Sequence, residues 1–365
     1  MCDMSFKRKT PQGTQPTSQL FSTGIPSLDD ILGGGLPASC LLAITAPDLH
    51  TDYGELVQKY FVAQAIASRQ RICVVGDLDW VNSCMWLLST TPNDNDEESR
   101  SSEDKIKIAW RYEPMKQFQT TVASDNCHPF DLSVRIPSTV VSEAVSRGFL
   151  IIIPIDTPSQ LLHSLHQLLE SNREPLRICI PSLASPEFGD PNSQDLLRFL
   201  HGLRSLLRQY PHACASTNLV AEASMDASGW NQKLGWVSDS LITLSAFAAD
   251  PALAAAFPAL HGLVQIHSLP SPKSLVSASD RFSTLRGAAA GGENNLGFKC
   301  TRKRLIIETL HLDVEGGVSE RRTTAPAVSK MGAAVTIEVE DSTIPVKKGR
   351  KKVGFQSDRP ELYDF

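Results

Sequence analysis

The sequence predicts an α/β protein built on a mostly parallel, twisted sheet flanked by helices, with antiparallel strands at one edge. Two observations carry this. From Leu20 onward, short apolar runs alternate with amphipathic stretches, the pattern of strand–helix–strand units. The early runs are apolar almost throughout, as strands buried on both faces must be, whereas the later ones alternate as antiparallel strands do.

The strands are, in order, CLLAIT (40–45), RICVVG (71–76), KIKIAW (105–110), FLIIIPI (149–155), RICIPSL (177–183), HACAST (212–217), DSLITLS (239–245), GLVQIH (262–267) and RLIIETLHL (304–312). The helix ELVQKYFVAQAIAS (55–68) connects the first two. SQLLHSLHQLLE (159–170) sets Leu161, Leu162, Leu165, Leu168 and Leu169 on one stripe, and SQDLLRFLHGLRSLLRQY (193–210) does the same with Leu196, Leu200, Leu203 and Leu207. Residues 20–317 are expected to form a single domain, interrupted by an acidic, serine-rich loop at 91–105 and a flexible insertion at 285–295. The polar tails 1–19 and 318–365 offer almost nothing to bury and are expected to be disordered.

Composition narrows the class. With 41% hydrophobic and 21% charged residues the chain is an ordinary globular protein, and a formal charge of −5 argues against broad affinity for nucleic acid or anionic membrane. No apolar run is long enough to cross a membrane, and the polar N-terminal stretch lacks a secretory pattern, so an intracellular, cytoplasmic protein is expected. The basic KKGRKK (347–352) reads as a nuclear-import signal, a loose nucleic-acid contact or a solubilising tail, which leaves a nuclear presence open. The cysteines form no C-x-x-C pair, and four of them (Cys40, Cys73, Cys179, Cys214) lie inside apolar runs. They read as small buried hydrophobes, and no metal site is expected.

The stretch FSTGIPSLDDILGGGLPASCLLAIT (21–45) reads as a short helix, a glycine stop and a strand. Ser27 is the expected helix cap with Asp30 completing a capping box, Gly33 to Gly35 allow a left-handed stop, and Pro37 prevents the helix resuming. STGIPSLDDILGGGLP resembles the lead-in to the phosphate-loop strand of RecA-like ATPases of the RadA and KaiC type. A phosphate loop needs G-x-x-x-x-G-K-[ST] to present amides, a lysine and a hydroxyl to the nucleotide. The stretch Ala46 to Gly54 instead reads APDLHTDYG. It has no lysine, and Asp48 and Asp52 stand beside Tyr53 where an anion would bind. In RICIPSLAS (177–185), Pro181 takes the place of the magnesium-ordering Asp. A competing alignment gives that place to Asp156. Asp77 and Asp79 lie near where a water-activating Glu would sit but, without a phosphate loop, read as capping or solvated carboxylates. No catalytic residue, cofactor or metal is therefore expected.

Further stretches add to the resemblance: IAWRYEP (108–114), CHPFDLSVRIP (127–137), IPSLASPEFGD (180–190), HGLVQIHSLPSPKSL (261–275) and LGFKCTRKRLIIETLHLDVE (296–315). These look like the signature segments of the Elongator complex protein 4 family, and with the lead-in they span residues 20–315. The resemblance implies a RecA-like domain without nucleotide motifs. It implies a heterohexameric ring, two copies each with the fifth and sixth Elongator subunits, docked on the catalytic Elongator subcomplex. Such a ring contacts tRNA and supports wobble-uridine modification of the 5-carboxymethyl type. Asp48, Asp52 and Tyr53 are then expected at or near a subunit interface. Lys299, Arg302, Lys303 and Arg304, with Arg321 and Arg322 beyond, read either as a tRNA-phosphate contact or as a solvated strand edge. The competing function is a RecA- or KaiC-like ATPase acting in recombination or signalling.

Three smaller constellations read as structural. His163 and His166 have metal-like spacing but no further ligands nearby in sequence. Cys127 and His128 would point to opposite faces of an extended strand. Trp110, Arg111 and Tyr112 read as packing residues.

Overall fold

The computed structural model describes residues 19–88, 127–189, 192–220, 229–272, 275, 277–279, 283–285 and 296–310. KIKIAW (105–110), Trp110 to Tyr112, the 91–105 loop, most of the 285–295 insertion and both tails lie outside them. In chain order the elements are β1 (Leu20–Phe21), α1 (Pro26–Leu32), β2 (Leu36–Pro37), β3 (Leu41–Thr45), α2 (Tyr53–Ala67), β4 (Arg71–Val75), α3 (Leu78–Asn82), β5 (Met85–Leu87) and β6 (Phe130–Arg135). There follow α4 (Ser138–Ser146), β7 (Leu150–Ile153), α5 (Pro158–Ser171), β8 (Leu176–Leu183), α6 (Ser193–Gln209), β9 (Ala213–Leu219), α7 (Trp230–Val237) and β10 (Ser240–Ala246). The last are α8 (Pro251–Ala256), β11 (Gly262–Ser268), β12 (Leu296–Cys300) and β13 (Leu305–Thr309).

Nine strands form the main sheet in the order β13-β12-β11-β10-β3-β9-β8-β4-β7. From β10 to β7 every pairing is parallel, and β11, β12 and β13 extend the sheet antiparallel. The expected architecture, a parallel core with an antiparallel edge, is the one observed. Both faces are covered, which is why the central strands are apolar throughout. Along β3, Leu42 and Ile44 face one core with α2, while Leu41 and Ala43 face the other with α5, α6 and α7. Strand β12, within LGFKC, is an element the apolar-run reading passed over, as are α3, α4, α7 and α8. Each is short, and a short element carries little periodic signal.

The start of the domain differs from expectation. Ser27 does not cap α1, because Pro26 already occupies its first turn and Ile25 is the flanking residue. The entrance is satisfied by Asp29, whose carboxylate accepts from the Thr23 amide at 2.6 Å, the Thr23 hydroxyl at 2.7 Å and the Ser22 hydroxyl. Ser27 Oγ accepts instead from the Ile307 amide, and the Tyr60 hydroxyl accepts from the Leu305 amide. Both bonds satisfy donors along β13, the strand that ends the sheet, and close its exposed edge. Asp30 likewise leaves the helix, accepting from Ser283 and Thr284 hydroxyls and the Thr284 and Leu285 amides. The glycine stop is as expected. Gly33 has φ 86°, and the amides of Gly33 and Gly34 bond back to the carbonyls of Asp30 and Asp29.

Arg177, on β8, is 1% exposed and lies between the rings of Phe21 and Phe61, 5.3 and 5.0 Å away. Its guanidinium donates to Gln70 Oε1 through Nε and Nη2, and to the Ser22 carbonyl through Nη1. Burial pulls its pKa down to about 10, opposed in part by the charges around it, Asp29 among them. Burial also pushes Asp29 up from the usual carboxylate range, against the hydrogen bonds of Ser22 and Thr23. One cation, one carboxylate and the hydroxyls between them thus fasten the lead-in segment to the sheet.

The cysteines behave as read. Cys40, Cys73, Cys84, Cys179 and Cys214 are free and buried. Burial pushes the thiols of Cys73, Cys84 and Cys214 up to about 12, and those of Cys40 and Cys179 also upward.

Candidate functional site

The C-terminal ends of parallel strands are where α/β sheets build sites, because loops there diverge around a crevice. Here that edge holds the loop from β3 to α2, the end of β9, the bend in β8 at Pro181, and the turn joining β12 to β13. Strand β12 runs in the same direction as β3, since two antiparallel pairings separate it from β10.

The loop Ala46 to Gly54 is closed on itself. Asp48 accepts from the His50 amide and the Thr51 hydroxyl, both at 3.0 Å. Asp52 is exposed and precedes α2, whose N-terminal amides would otherwise attract an anion. Two carboxylates at this helix end repel phosphate rather than cradle it. Tyr53 turns toward the antiparallel edge, its ring 4.7 Å from that of Phe298 on β12. Partial burial, then the neighbouring Cys300 and Asp48, raise the Tyr53 phenol.

Asn218, at the end of β9, had no sequence signal and proves central. Its Nδ2 donates to the Pro181 carbonyl at 3.1 Å, across a β8–β9 pairing that shifts register between Ile180 and Leu183. Gly54 packs so closely on it that an added Cβ would lie 2.0 Å from Asn218 Oδ1. The loop Ala46 to Gly54 and the Pro181 segment of β8 are therefore joined through one amide side chain. Beside them, Thr45 and Thr243 share a hydrogen bond of 2.6 Å, and Thr243 bonds His267 Nε2 at 2.8 Å. Burial lowers the His267 pKa.

The basic residues gather in the β12–β13 turn. Arg302, Lys303 and Arg304 are exposed there, Lys299 is half-buried on β12, and the turn closes through Thr301 and Arg304. The Leu132 amide donates to the Lys303 carbonyl, docking the turn on β6. Burial pushes Asp131 up, but the Ser133 hydrogen bonds and the charges of Lys303 and Arg302 outweigh it and hold the carboxyl below the usual range. The turn and the acidic loop thus share one edge of the sheet, with Tyr53 and Phe298 between them.

Other expected residues lie elsewhere. Asp156 follows β7, the outermost strand, with β4, β8 and β9 between it and β3. At about 4.8 Å per strand, that is roughly 19 Å from the loop, which removes it from the magnesium role. Asp77 caps α3 by accepting from the Trp80 amide at 2.7 Å, and Asp79 is exposed in its first turn. His163 bonds Gln167, while His166 meets Tyr210 and Glu170. Among the described residues no three His, Cys, Asp or Glu side chains group as metal ligands do. The Cys127 thiol is pushed up to about 12 by burial, which makes it a poor nucleophile.

Comparison with known proteins fixes the family. The profile described as PAXNEB protein matches residues 7–340. Elongator complex protein 4 of Xenopus laevis is 30% identical over 84% of this chain and 86% of its own length. The human protein of the same name is 27% identical over 82% and 79%, and the mouse protein 27% over 90% and 87%. A KaiC-like protein from Pyrococcus horikoshii overlaps 80% of this chain and 99% of its own with TM-score 0.43 and 10% identity. The chain belongs to the PAXNEB family, that of Elongator complex protein 4.

Proposed function

We propose that the chain is a non-catalytic subunit of an Elongator complex. It forms a heterohexameric ring with the fifth and sixth subunits, docks on the catalytic subcomplex and supports tRNA wobble-uridine modification. The observation that carries the non-catalytic reading is the loop Ala46 to Gly54, closed by Asp48 and fronted by Asp52 at the start of α2. A surface that repels phosphate and stays acidic suits a basic patch on a neighbouring subunit. The exposed turn of Arg302, Lys303 and Arg304 on the same edge supports a tRNA-phosphate contact, each such contact adding salt-dependent affinity.

The test is alanine replacement of Asp48 and Asp52 together, followed by sedimentation of the reconstituted ring over a dilution series. Earlier dissociation than the parent supports the reading. An unchanged dissociation curve removes the loop from the interface. ATP turnover by the isolated chain, abolished by Asp52→Ala, would replace the proposal with a RecA-like ATPase.

A further inference from the structure

At the opposite edge of the sheet, the C-terminal ends of α2 and α4 converge over β5 and leave a groove of about 230 Å³. Its floor and walls include Ile66, Trp86, Val140, Ala144 and Phe149, and Arg69 stands at its rim. This volume is below that of sites for drug-sized ligands and matches one or two apolar side chains. Glu143 and Arg147 also line it and neutralise each other at 2.8 Å, whereas Arg69 has no ion pair among the described residues.

Arg69 is also held at φ 53°, a left-handed position just beyond α2. Glycine is the residue that takes this conformation without strain. Arg69 thus forms the left-handed stop of α2, where the Gln70 amide bonds back to the Ala65 carbonyl, and its guanidinium stands beside the apolar groove. We infer that the groove seats an apolar side chain from an acidic peptide segment of a partner protein, with a neighbouring carboxylate of that segment on Arg69. The net charge of the lining, two arginines against one glutamate, selects an acidic partner, and the aliphatic and aromatic walls select its apolar anchor.

The full-length chain is titrated into a fluorescein-labelled decapeptide, acetylated and amidated, that carries a leucine–phenylalanine pair between glutamates. Matched peptides replace the glutamates by lysines, or the apolar pair by alanines. Only the first should bind, with a Kd on the order of 0.1 mM for one small groove. Arg69→Gly removes the charge while relieving the backbone, so it should weaken binding about fivefold without lowering the Tm. Glu143→Gln frees Arg147 and should strengthen binding about twofold. These opposite shifts separate the inference from a folding defect. Equal binding of the three peptides, or an unchanged Kd for Arg69→Gly, overturns it. So does a lack of binding by any of them, the outcome if residues 89–126 or a second copy already hold the groove.

Discussion

Arg177→Ala is the sharpest probe of how this domain holds together. The substitution removes three hydrogen bonds, leaves the Ser22 carbonyl and Gln70 Oε1 short of donors, and opens a void between Phe21 and Phe61. Each unsatisfied buried acceptor costs about 1 kcal/mol or more, and removing one partner of a buried charge network costs about 3–5 kcal/mol in all. The expected loss is about 4 kcal/mol, a large part of the roughly 5–15 kcal/mol that stabilises a domain. Arg177→Met keeps most of the volume and should lose about 2–3 kcal/mol. Because Asp29 is already pushed up by burial, the Met variant should be partly rescued by Asp29→Asn, with a coupling of about 1 kcal/mol. Urea unfolding of the isolated chain, followed by tryptophan fluorescence at fixed concentration, measures the parent, both Arg177 variants, Asp29→Asn and the Arg177→Met/Asp29→Asn double variant. An Arg177→Ala variant within about 0.5 kcal/mol of the parent would refute the network as a structural fastening.

Three further outcomes are expected. The unfolded chain ionises its thiols near 9, whereas folded Cys73, Cys84 and Cys214 hold their protons to about 12 and Cys40 and Cys179 are also raised. The unfolded state then binds fewer protons, so stability falls as pH rises from about 9 toward 12, by up to ~1.4 kcal/mol per pH unit for each thiol. Arg177, held down to about 10, opposes this with a single proton above that pH; urea midpoints that rise with pH would contradict the prediction. Gly54→Ala should cost about 2–3 kcal/mol through its clash with Asn218, and Asn218→Ala in the same chain should recover part of it, measured by the same unfolding curves. Asp30→Ala should leave the global midpoint within about 1 kcal/mol of the parent while speeding amide exchange at Thr284 and Leu285, whose amides it accepts.

The sheet was legible because its central strands are buried on both faces, and burial of that kind writes itself as unbroken apolar runs such as RICVVG. The start of α1 was misread because the capping rule looks only at neighbours in the chain. Thr23 and Ser22 met Asp29, and Ser27 turned to β13, 280 residues away. Arg177 gave no signal either, since nothing in RICIPSL shows that Gln70 and Ser22 will converge on its first residue. At the candidate site the acidic residues of APDLHTDYG could be read one by one, and the basic TRKR turn stood out because it is contiguous. That the two lie on one edge, bridged by Tyr53 and Phe298, depends on strand directions that no local pattern specifies.

In the proposed function the loop Ala46 to Gly54, with Asp48 and Asp52, is an acidic contact surface for neighbouring subunits. Native mass measurement of the chain purified from its own cells tests this most directly. The prediction is a heterohexamer containing two copies each of three related proteins, with the chain alone turning over no ATP. A monomer that hydrolyses ATP would contradict it.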